Sequence, residues 1–135
     1  MPGKGALSAQ TVPPRPGIPA PKMLHAIDAT FPADSPAADL AQLTDAATAA
    51  VRAGNGHVLD TSHVIFPNGA ITLVLILAES HLSVHTWPEE KLIAVDLFSC
   101  GAIDAATVTG ELIRELALAD VSVHRLPRGP QPLAI

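Results

Sequence analysis

Residues Ile71 to Ala78 form an eight-residue apolar run, rich in Ile, Val and Leu. It ends directly on Glu79-Ser80-His81-Leu82-Ser83-Val84-His85-Thr86-Trp87. A run of this length and branching predicts a buried central strand rather than a helix. Such a strand needs pairing partners and a layer to cover it, so the chain must build a sheet around it. The exit from the strand is unusual. Two histidines and two serines are of no use to an ordinary buried strand, but they are of use to a chain that performs chemistry on its own backbone.

The flanking segments supply the rest of the sheet. Met23 to Ala29 reads as a first strand. Ser35 and Pro36 open a helix, with Ser35 as N-cap and Pro36 in the first turn. Leu40, Leu43, Ala47 and Val51 make its apolar face, and Gly54 and Gly56 stop it. His57 to Phe66 is a strand, and Pro67-Asn68-Gly69 a turn. Leu82, Val84 and Thr86 alternate with Ser83 and His85, the pattern of a half-buried strand. Leu92 to Phe98, carrying Asp96, is another strand. A second helix runs from about Asp104 to Ala119, with Val108, Leu112 and Leu116 inward. Val121 to Leu126 is a last strand, ended by Pro127, Pro130 and Pro132. The economical architecture is an α+β two-layer sandwich: a mainly antiparallel sheet with two helices on one face.

Residues 1–22 are rich in proline and glycine and predict a flexible arm ahead of a single domain over residues 23–135. The whole chain has 135 residues, enough for one modest core. Its net charge of −5 and lack of a basic stripe argue against a nucleic-acid partner. No segment approaches the roughly 20 apolar residues of a membrane helix, and no secretory signal is visible. The single cysteine, Cys100, cannot form an internal disulfide, which predicts a reducing, cytoplasmic setting.

Several side chains have two readings when taken one at a time. The Ser80 hydroxyl can attack the carbonyl of Glu79 and cut the chain between them, or it can be a turn serine. His85 suits the role of base, since imidazole exchanges protons near neutral pH, or it can simply occupy the polar face of a strand. His81 and His85 are four apart, about 13 Å along a strand, so they cannot share a metal. No metal site is expected. Cys100 is a proton donor or a small hydrophobe. Thr72 can bring a hydroxyl towards the cleavage point if its strand runs beside the next, or be chosen for its β-branch. Phe66 can stack on a flat or cationic ligand, or pack in a core.

Together these residues carry more weight. Glu79 through Glu89, followed at fixed spacing by Asp96-Leu97-Phe98-Ser99-Cys100-Gly101, resembles the prokaryotic S-adenosylmethionine decarboxylase proenzymes. The resemblance extends loosely from residue 23 to Gly129. It implies the α+β sandwich again, self-cleavage at Glu79-Ser80, and conversion of Ser80 to a covalent pyruvoyl cofactor that binds substrate as a Schiff base. It further implies His85 as processing base, Cys100 as proton donor in decarboxylation, and Thr72 as a processing aid. Phe66 and Glu89 would contact substrate, and the cleaved protomers would pair as a homodimer. The product would feed spermidine synthesis. Relatives with this machinery act on ornithine or arginine, and an acidic pocket using Glu89 or Glu90 would hold such a cation. A catalytically inactive partner protein is the third reading. Retention of Ser80, His85 and Cys100 argues against it.

Overall fold

The computed structural model describes residues 21–130. The proline- and glycine-rich stretch falls outside those residues as far as position 20, and Pro132 lies beyond them at the other end. Lys22 is already the first residue of a strand, so the domain begins slightly earlier than the composition suggests.

Six strands form one sheet: β1 (Lys22–Thr30), β2 (Val58–Ile65), β3 (Ile71–Leu77), β4 (Ser80–Trp87), β5 (Leu92–Ser99) and β6 (Ala119–Arg128). Their spatial order is β2-β3-β4-β5-β1-β6, with antiparallel pairing throughout. Tight connections make β2 through β5 a meander. Two helices, α1 (Leu40–Ala53) and α2 (Ala105–Leu116), carry the crossovers. The two-layer α+β sandwich expected from the sequence is what the chain forms.

The core lies between the helices and one face of the sheet. Leu43, Ala47, Val51, Leu112 and Leu116 pack against Leu73, Leu75, Leu82, Val84, Val95 and Leu97, all essentially inaccessible to water. The alternation along β4 is as the sequence predicts: Leu82, Val84 and Thr86 are buried, while Ser83 and His85 are half-buried on the other face. The apolar run of β3 departs from expectation. It sits inside the sheet, between β2 and β4, but only Ile71, Leu73, Leu75 and Leu77 are buried, and Thr72, Val74 and Ile76 are half-exposed. Helices cover a single face, so continuous hydrophobicity here marks a second apolar face that the described residues leave open.

Three boundaries also differ. Ser35 caps a short 3-10 turn, Pro36–Ala38, and α1 starts afresh at Leu40 with Asp39 as its N-cap. The proline at 36 sets the first turn, but the Asp39 carboxylate supplies the acceptor that begins the longer helix. Helix α2 ends at Leu116 with Ala117 in the left-handed region, so Ala119 belongs to β6. Strand β6 continues through Pro127 to Arg128. It is an edge strand, where a residue without an N–H removes no ladder hydrogen bond on its outer side.

Candidate active site

Ser80 starts β4 after a two-residue connection, Ala78-Glu79, and Leu77 pairs with Ser80 across the hairpin. The Ser80 φ angle is +141°. A residue with a Cβ rarely adopts that backbone, and such strain concentrates where chemistry occurs. Immediately before it, the carbonyl oxygen of Glu79 accepts a hydrogen bond from the Cys100 thiol at 3.3 Å. Cys100 reaches this point because β5 pairs with β4 in a register that sets Ser99 opposite Ser80. The thiol therefore polarises the one carbonyl that Ser80 would have to attack, in the position an oxyanion donor needs.

The Glu79 side chain is buried, and His57 holds both carboxylate oxygens. The His57 backbone N–H donates to Oε1 at 3.0 Å, and its ring Nδ1 lies 2.7 Å from Oε2. His57 stands just before β2 and was not among the residues singled out by sequence reasoning. No local motif marks it; the contact exists only because the α1–β2 connection is folded against the β3–β4 turn.

A second group lies elsewhere. The Thr72 hydroxyl is 3.1 Å from His85 Nδ1, and the two residues are directly opposite in the β3–β4 register. Both stand on the open face. This corrects the reading of Thr72, whose hydroxyl is expected near the cleavage point if its strand runs beside the next. Strands β3 and β4 do run side by side, but antiparallel pairing sets Leu77, not Thr72, beside Ser80. Five residues of extended chain put His85 about 16 Å from Ser80.

Phe66 and Glu89 are farther still. Phe66 is exposed at the end of β2, and the Glu89 carboxylate accepts from the Asn68 amide at 3.1 Å, both at the Trp87 end of the sheet. An open cavity of about 560 Å³ lies on the β4-β5-β1-β6 side of that end, lined in part by Asp28, Trp87, Glu90 and Asp120 but by neither Phe66 nor Glu89. It neighbours His85 through the row His85–Ala94–Asp28 across β4, β5 and β1. Asp28 and Asp120 entered no sequence motif, since β1 and β6 meet this corner only in the folded sheet. Among the described residues, no three His, Cys, Asp or Glu side chains converge as a metal site would require.

These features can be set beside known proteins. The family model described as S-adenosylmethionine decarboxylase matches residues 26–129. The chain belongs to this family. Curated relatives agree. An S-adenosylmethionine decarboxylase proenzyme of Prochlorococcus marinus is 44% identical over 72 residues, covering 53% of this chain and 57% of the relative. One from Shouchella clausii is 37% identical over 86 residues, covering 63% and 66%. One from Pyrobaculum arsenaticum is 42% identical over 64 residues, covering 47% and 51%. The matched part thus spans between half and two-thirds of the length of these relatives. The crystal structure of the adenosylmethionine decarboxylase from Aquifex aeolicus superimposes with a TM-score of 0.72 at 24% identity, covering 87% of this chain and 98% of that one. At that identity the likeness speaks for the shared fold.

Proposed function

We propose that this chain is a pyruvoyl-dependent decarboxylase proenzyme acting on S-adenosylmethionine, in the pathway to spermidine, and that it activates itself by cutting the Glu79–Ser80 bond. The observation that carries the reading is the Cys100 thiol on the Glu79 carbonyl, next to a serine at φ +141°.

The chemistry follows from those groups. Ser80 Oγ attacks the Glu79 carbonyl carbon while the Cys100 thiol stabilises the oxygen. The carbon–nitrogen bond breaks, the nitrogen takes a proton, and the amide becomes an ester. A base removes the Ser80 α-proton, the ester carbon–oxygen bond breaks, and residue 79 leaves as a carboxylate. The dehydroalanine left at position 80 tautomerises to an imine, adds water and expels ammonia, leaving a pyruvoyl group. When present, that group draws electrons from the substrate as carbon dioxide departs. Cys100, already beside residue 80, is placed to return the proton.

His85 is the base of this scheme, with Thr72 fixing its ring. Since one chain holds them about 16 Å from Ser80, a second copy must deliver them. The open sheet face supports such pairing. Val64, Trp87, Leu92 and Leu126 expose large apolar surface there, and Val74 and Ile76 are half-exposed beside them. An isologous stack repeats every contact twice, so each copy would lend its Thr72–His85 group to the Ser80 of the other. The same stack brings Phe66, Glu89 and the acidic cavity towards the partner's Ser80, where Asp28, Glu90 and Asp120 suit a cationic substrate. A free thiol in this role fits a cytoplasmic setting. No described helix is long and apolar enough to cross a membrane.

Intact-mass analysis tests the reading. Fresh protein should consist of fragments 1–79 and 80–135, the second lighter by one ammonia than its serine form. Ser80→Ala should remain whole. A folded wild-type chain that stays intact would sink the proposal. Carbon dioxide release from labelled S-adenosylmethionine, ornithine and arginine then assigns the substrate. Release from ornithine or arginine alone would replace it with a basic amino acid.

A further inference from the structure

We infer that His57 is a positioning residue for self-cleavage: it clamps the Glu79 side chain so that the scissile carbonyl stays on the Cys100 thiol. This rests on the reading that Glu79–Ser80 is cut.

Three hydrogen bonds tie residue 57 to the turn before the scissile bond. The His57 N–H donates to Glu79 Oε1 at 3.0 Å, its ring Nδ1 meets Oε2 at 2.7 Å, and its carbonyl accepts from the Ala78 N–H at 2.9 Å. The Glu79 side chain is only 9% exposed, whereas that of His57 is 72% exposed. A buried carboxylate needs partners for both oxygens, and one residue provides both. The other end of Glu79, its carbonyl, is held by Cys100 at 3.3 Å. Residue 79 is therefore pinned at side chain and main chain, on either side of the carbon that Ser80 attacks.

Near-attack geometry is where such pinning acts. A carbonyl free to rotate about its own backbone spends little time facing both the Ser80 hydroxyl and the thiol, and misplacement of about 1 Å lowers a rate by orders of magnitude. Strand pairing ends at Leu77–Ser80, so Ala78 and Glu79 lie outside the ladder. His57 replaces the missing ladder partner. Its ring faces water, so removing it leaves the core untouched. Asparagine is the informative substitute, since its Nδ2 occupies nearly the place of histidine Nδ1 and keeps the donor to Oε2.

The test follows cleavage of full-length protein made in a cell-free reaction, sampled over time by intact mass. His57→Ala should form fragments at least about tenfold more slowly than wild type. His57→Asn should recover to within about threefold. Hydroxylamine, which cuts esters but not amides, should leave His57→Ala whole, because the slowed step is the amide-to-ester shift. In an uncleavable Ser80→Ala background, adding His57→Ala should leave the melting temperature nearly unchanged, because water can take the place of the exposed ring at Oε2. Wild-type cleavage rates in His57→Ala would overturn the clamp. So would fast cutting on addition of hydroxylamine, failure of His57→Asn to recover, or a melting loss that accounts for the slowing. Uncut wild type would instead refute self-cleavage itself, and the clamp with it.

Discussion

Ser80 concentrates what single residues contribute here. Its left-handed backbone is tolerated because both flanks are held: the β4–β5 ladder on one side, His57 and Cys100 on the other. The type of each reactive side chain was legible from the sequence, because hydroxyl, imidazole and thiol chemistry belong to the residue. Their mutual distances were not. His25 shows the same division. Burial, and then the nearby Arg125 charge, lower its pKa, so the folded protein favours the neutral ring. A folded pKa below the unfolded one gives stability that is present above the ordinary imidazole value and lost as pH falls through the depressed one. Thermal melts at pH 7.5 and pH 5 should show wild type losing more stability than His25→Gln. Equal losses would refute this assignment.

Helices and strands follow periodicity and capping closely. The alternation of β4, the apolar stripe of α2 and the glycine end of α1 were all legible, since each needs only neighbours within a few residues. The start of α1 was not. Both Ser35 and Asp39 are good caps, and the choice between a short turn and a continuous helix depends on Ser35 Oγ reaching the Leu116 carbonyl at 2.6 Å. Gly54 shows how helix ends set the packing. A Cβ there would lie 2.6 Å from Val108 Cγ2 and 2.8 Å from the Asp104 carbonyl oxygen. That oxygen is backbone and cannot swing aside. Gly54→Ala should therefore destabilise the fold by about 1–3 kcal/mol, read from denaturant unfolding. An unchanged midpoint would show that α1 and α2 separate easily.

At the scale of the whole molecule, the sheet has one finished face and one unfinished. The finished face carries the core. The unfinished face carries Thr72, His85, the acidic cavity and the exposed apolar side chains. This division yields a complementation prediction. Ser80→Ala has no hydroxyl to attack the Glu79 carbonyl, and His85→Ala should cut poorly alone. Co-expressed, they should form mixed dimers in which intact His85 serves the intact Ser80 of the other chain. Tagged fragments should then come from the His85→Ala chain alone. Absence of cutting in the mixture, with each chain folded, would refute a shared site.

The sequence by itself determined the layers, the strand count and the reactive residue types, because hydrophobic period and side-chain chemistry are local. It also carried, in Glu79 through Cys100, enough pattern to mark the family. Only the tertiary structure decided which of these residues meet. Strand register sets Leu77 rather than Thr72 opposite Ser80, and it brings Cys100, twenty-one positions from Glu79, onto its carbonyl. Chain separation and spatial separation are set by different physics, the first by covalent geometry and the second by strand register.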